Sequence, residues 1–128
     1  MPRSQSYGDA SFEELVAEAL AELPPEIQEW LDNVAVVVED RPSLALLREM
    51  GVPPGQTLFG LYQGVPLTER TTGYNLVPPD KITIFREPIE AYSRSPEEVR
   101  ELVKHVVVHE LAHHFGIDDE RLWELGAY

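Results

Sequence analysis

All four histidines of the chain fall between residues 105 and 114, on the stretch that carries its best-marked helix signals. That stretch constrains the fold more than any other. Ser95-Pro96-Glu97-Glu98 supplies an N-cap serine, a proline at the first helical position and a capping-box glutamate. Val99, Leu102, Val103, Val106 and Leu111 follow at helical spacing, so one face is apolar and has to be covered. Gly116 stands where a left-handed residue would end the helix and turn the chain back. Whatever else folds must therefore pack on one side of this helix and leave its histidines usable.

Within it stands His109-Glu110-Leu111-Ala112-His113, the HExxH pattern. Residues four apart on a helix are turned by about 40° and rise by about 6 Å, so His109 and His113 project from one face on successive turns. Two imidazoles so placed can converge on one metal ion, which suits zinc. Glu110 lies one step round the helix, where its carboxylate can take a proton from the attacking water.

A catalytic zinc site usually wants a third protein ligand and leaves a position for water. On a continued helix, Asp119 would lie about 9 Å beyond His113 along the axis. A reversal at Gly116 instead lets Asp119 return, and the expected ligands are His109, His113 and Asp119 around one zinc ion. Asp118, Glu120 and Glu124 are rival carboxylates. His105 shares the face of His109, but three consecutive turns span about 12 Å, too long for one ion, so it lines the cleft or bonds a neighbour. His114 is turned about 140° from His109, away from the metal face.

The rest of the chain reads as short elements. Ser11 to Glu14 looks like a capping box opening a helix with Leu15, Val16, Ala19, Leu20 and Leu23, stopped by Pro24-Pro25. A short helix from Pro25 carries Ile27, Trp30 and Leu31. Val34 to Val38 reads as a buried strand, and Ser43 to Met50 as one or two helical turns ended by Gly51. Thr57 to Tyr62 and Lys81 to Arg86 are two further strands, the second alternating as a half-exposed one should. Between them Gly64 to Asp80 reads as a long loop. Residues 1–8 are polar and expected to fray. The order predicts one α+β domain over residues 1–128: a small mixed sheet of three to four strands on helices, with the histidine helix near the C-terminus.

Composition narrows the chemistry. Ten Lys and Arg against 23 Asp and Glu give a net charge of −13, which disfavours nucleic acid and anionic membranes. There is no cysteine, so thiolate catalysis and cysteine-ligated metal are excluded. The N-terminus lacks the apolar run of a signal peptide, and the longest apolar run, Val34 to Val38, is far short of a membrane span. A cytoplasmic, monomeric protein is expected.

The motif with its Gly116-x-x-Asp119 extension resembles the zincin metallopeptidases, and within them the metzincin minority with an aspartate as third ligand. Val34 to Asp40, Gly64 to Arg70, Lys81 to Pro88 and Val107 to Leu125 together resemble the minimal zincin-like family of small bacterial metallopeptidases. That resemblance implies a metal-dependent hydrolase fold, with an extended peptide laid against an edge strand, for which Lys81 to Arg86 is the candidate. Two departures stand out. The methionine turn of metzincins is absent, since the only methionines are Met1 and Met50; Trp123, Leu125 and Tyr128 are candidates for the floor. No oxyanion-stabilising residue stands out among Tyr74, Tyr92, Arg70 and His114.

The expected function is zinc-dependent hydrolysis of peptide or amide bonds, with Glu110 as general base and a neutral or basic peptide as partner. Two alternatives use the same histidines. One is a binding or regulatory protein in which metal only staples a small fold. The other is a metal-dependent endoribonuclease, which Glu110, Asp119 and the net charge all oppose.

Overall fold

The computed structural model describes residues 9–64 and 80–124. Among the described residues nine elements follow in order: α1 (Asp9–Ala21), α2 (Pro25–Trp30), β1 (Val34–Glu39), α3 (Leu44–Glu49), β2 (Gly60–Gly64), β3 (Asp80–Phe85), α4 (Arg86–Ala91), α5 (Pro96–Phe115) and α6 (Asp119–Glu124). Three strands form one mixed sheet in the order β1-β3-β2, with β1 parallel and β2 antiparallel to β3. The α+β class with a small mixed sheet and a C-terminal histidine helix is what the sequence predicts.

The sheet uses one face to build the core. Val34, Val36 and Val38 of β1 and Ile82 and Ile84 of β3 pack with the apolar faces of α1 and α5. Strand alternation explains the choice, since residues two apart share a face. α1 contributes Phe12, Leu15, Val16 and Ala19, and α5 contributes Val99, Val103, Val107 and Leu111. Ion pairs from Arg100 to Glu18 and Glu22 and from Lys104 to Glu22 lie along the α1–α5 seam.

α5 approaches β2 closely because position 60 has no side chain. A Cβ on Gly60 would sit 2.6 Å from Val106 Cγ1 and 3.0 Å from the Thr83 carbonyl oxygen. Four helical residues rise about 6 Å and two strand residues advance about 6.6 Å, so contact at Val106–Gly60 is followed by contact at Glu110–Tyr62. The glycine thus sets the register between the histidine helix and the sheet edge.

The caps of α5 are as its sequence implies. Ser95 Oγ accepts from the Glu98 N–H at 3.1 Å, and the Glu98 carboxylate accepts from the Arg94 N–H at 2.8 Å. At the other end Gly116 adopts φ 69° and ψ 32°, and the N–H groups of Gly116 and Ile117 both donate to the Ala112 carbonyl.

Several expectations need correction. β3 is the central strand, neither half-exposed nor an edge: Ile82, Thr83, Ile84 and Phe85 are all buried. Its alternation of apolar and polar residues misleads because Thr83, only 3% exposed, is enclosed on the sheet's second face. β1 is an edge strand with half-buried residues, where full burial is expected of so apolar a run. β2 begins three residues later than expected and runs to Gly64; Phe59 lies outside it, although its carbonyl accepts from the Phe85 N–H. α1 begins at Asp9, so Ser11 lies inside the helix rather than at its N-cap. α4 is not among the expected elements; its Pro88 falls in the first turn, where no intrahelical N–H is lost. The polar segment 1–8 and loop residues 65–79 lie outside the described residues. Among the described residues, no helix is long and apolar enough to cross a membrane.

Candidate metal centre

α5 presents its histidines along the boundary between its buried and exposed faces. His109 is half-buried, with its Nε2 enclosed, while His105 and His113 reach the surface. The His109 and His113 rings lie 6.2 Å apart between centroids at 82°, as consecutive turns of one helix face dictate. His105 packs its ring 4.1 Å from that of His109. Desolvation of that ring, and then the charge of His109 beside it, pulls His105 below the usual imidazole value of 6.5.

Glu110 turns from this face onto the sheet. Its Oε1 accepts a hydrogen bond from the main-chain N–H of Tyr62 at 3.0 Å. In an antiparallel pair, residues alternate between facing the partner strand and facing away. Phe59 bonds Phe85 of the β3 side, and Gly60 pairs with Ile84, so the main-chain groups of Leu61 and Gln63 face β3. Those of Gly60, Tyr62 and Gly64 face away from β3, where β2 has no further strand partner among the described residues, and the Tyr62 N–H there is taken by Glu110.

Tyr62 is the residue that sequence reasoning missed. Its hydroxyl donates to Asp80 Oδ2 at 2.6 Å, and its ring stacks on His114 with centroids 4.0 Å apart and planes within 16°. His114 Nε2 lies 3.7 Å from the same Asp80 oxygen. Phe115 closes the cluster edge-on to Tyr62 and packs near Trp30. Only strand register brings positions 62, 80 and 114 together, and no local pattern signals it. His114 is thus turned off the His109–His113 face, as its helical angle requires.

Past Gly116, Asp118 Oδ1 accepts from the Arg121 N–H at 2.9 Å and so caps α6. One of its two carboxylate oxygens is occupied in this way. Asp119 and Glu120 open the first turn of α6, and Glu124 pairs with Arg121 at 3.3 Å. Leu122 is the residue of α6 that packs inward, whereas Trp123 is 70% exposed. Leu125 and Tyr128 lie outside the described residues, as do Arg70 and Tyr74. Tyr92 packs against Phe59 beside the end of β3 that leads into α4, while Glu110 docks toward the opposite end of the sheet.

Among the described residues, no three His, Asp or Glu side chains are gathered as a set able to hold a metal ion. His109 and His113 share one helix face, and no carboxylate among the described residues, Asp119 included, completes a set of three with them. The donor chemistry of the helix nevertheless fits zinc, which takes neutral imidazoles on successive turns and accepts a carboxylate as third ligand.

A helix bearing paired imidazoles and a carboxylate docked on an antiparallel edge strand is the architecture of a zincin. The family model described as zincin-like metallopeptidase matches residues 31–127, and the chain belongs to that family. No curated protein matches the chain.

Proposed function

We propose that the protein is a zinc-dependent peptidase that cleaves extended peptides laid along β2. The observation that carries this reading is the docking of Glu110 on the side of β2 that faces away from β3, an edge of the sheet among the described residues, beside the His109–His113 face. A carboxylate required only for folding has no need of that position, whereas a base acting on an edge-bound peptide does.

His109, His113 and Asp119 would hold the ion. Zinc bound there would polarise the scissile carbonyl and lower the pKa of the attacking water. Glu110, with Oε1 engaged by Tyr62, has Oε2 to accept a proton from that water and return it to the leaving amine. Among the described residues β2 lies at the edge of the sheet that meets Glu110, whereas β3, the candidate from sequence, has neighbours on both sides. Main-chain pairing on such an edge supplies affinity with little dependence on side chains. With a net charge of −13, neutral or basic peptides are the expected substrates, and the chain acts as a cytoplasmic monomer with no nucleic-acid or membrane partner.

The test is hydrolysis of a mixed peptide library by the zinc-loaded protein and by Glu110→Gln, with zinc content measured in both. The reading predicts equal zinc and cleavage by the wild type alone, a loss of at least about 100-fold. Equal cleavage by both proteins would overturn the role given to Glu110.

A further inference from the structure

We propose that Tyr62 is the positioning residue of the site, fixing Glu110 through its main-chain amide and fixing the end of α5 through its side chain. The proposal rests on the reading of Glu110 as the general base, and adds what holds that base in place.

Three contacts of different kind meet at this residue. The N–H faces away from β3, on an edge of the sheet among the described residues, and donates to Glu110 Oε1 at 3.0 Å. The ring stacks on His114, the residue directly after His113. The hydroxyl is held by Asp80 at 2.6 Å, and Asp80 pairs across the sheet with Gly64. The amide and the ring act on two successive turns of α5, so they fix both rotation and height of the segment that carries His109, Glu110 and His113.

A carboxylate on a surface-facing helix turn has several rotamers, and holding one of them costs side-chain entropy at each turnover unless it is already constrained. A hydrogen bond from a strand amide supplies that constraint with no mobile side chain of its own. It also divides the labour of the carboxylate: one oxygen is anchored and the other is left for proton transfer. Gly60 makes the arrangement reachable, because the close approach at Val106 brings Glu110 within hydrogen-bond distance of the strand.

The experiment is amide hydrogen exchange read residue by residue on the full chain, joined to steady-state kinetics. Leu61 and Gln63 serve as internal references, since their amides face β3. In the wild type, the Tyr62 amide is expected to be protected like its two neighbours, although it faces away from β3. Glu110→Ala should speed exchange at residue 62 by about tenfold or more, the factor set by losing one charge-assisted hydrogen bond, with Leu61 and Gln63 unchanged. Glu110→Gln, which keeps an acceptor oxygen, should retain most of the protection. Tyr62→Phe and Asp80→Ala should each lower kcat several-fold at constant KM, and Asp80→Asn, which still accepts from the hydroxyl, should restore it. Fast exchange at Tyr62 in the wild type would overturn the proposal even if Glu110→Ala does not fold. So would unchanged kcat in Tyr62→Phe. Should the wild type cleave no peptide, the reading of Glu110 as a base fails, and the exchange data decide separately whether the amide holds it.

Discussion

On one face of α5, Val99, Val103, Val107 and Leu111 are fully enclosed by α1 and the sheet; on the other, Leu102, His105, His109 and His113 run from half-buried to exposed. The enclosed face is held by non-directional burial, in which many small contributions add and neighbours can compensate. The histidine face is held by few contacts, each directional: the Tyr62–Glu110 hydrogen bond, the Tyr62–His114 stack and the left-handed turn at Gly116. Stability is therefore expected to follow the first face and chemistry the second, with little overlap.

The largest separation should come from one substitution on each face. Leu111→Ala empties a fully buried position and should cost about 2–5 kcal/mol by urea unfolding, while the folded fraction binds zinc as before. His113→Ala removes an exposed side chain and should change zinc-free stability by less than about 0.5 kcal/mol. Its zinc affinity, read against a chelating dye, should fall by more than about 100-fold. Equal effects of the two on stability would break the comparison.

Gly60→Val tests the point where the two faces share a support. Its Cβ would meet Val106 Cγ1, and the expected loss is about 1–3 kcal/mol of stability, with weakened protection of the Tyr62 amide. Val106→Ala in the same chain should recover part of both losses. Additive effects in that double-mutant cycle would deny the close contact.

Much of the first face is legible in the sequence, because its signals are local. Ser95, Pro96 and Glu98 start α5, valines repeat at helical spacing, and Gly116 ends it. His109, Glu110 and His113 are legible for the same reason, being one motif on one helix. What escapes is long-range. β3 reads as half-exposed because Thr83 is polar, and only the assembled sheet shows both its faces covered. Tyr62 has no signal, since its role depends on its pairing with Ile82 and on the closeness allowed by Gly60. Asp118 reads only as a rival ligand, and its bond to the Arg121 N–H adds a capping role at α6.

The smallest expected effect lies on the seam with α1. A hydrogen bond from Lys104 holds the Glu22 carboxyl below its ordinary 4.5, and hydrogen bonds to Glu101 and Glu22 hold the Lys104 ammonium above its ordinary 10.5. A lowered acid stabilises above its unfolded value, and the gain is lost as pH falls through the folded one. A raised base stabilises below its unfolded value, and the gain is lost as pH rises through the folded one. The pair therefore contributes across the window from about pH 4.5 to about 10.5 and fades on both sides. Lys104→Gln should lower Tm slightly inside that window, less at high salt, and progressively less as pH falls below 4.5. A Tm difference that does not shrink as pH falls would show the lysine acting through packing of its stem.

The account stands most directly on what surrounds the ion. A structure of the zinc-loaded protein should contain one zinc bound by His109, His113 and Asp119, with a fourth position open to water and Glu110 still on the Tyr62 amide. Zinc closed by a fourth protein ligand, or bound away from His109 and His113, would contradict it.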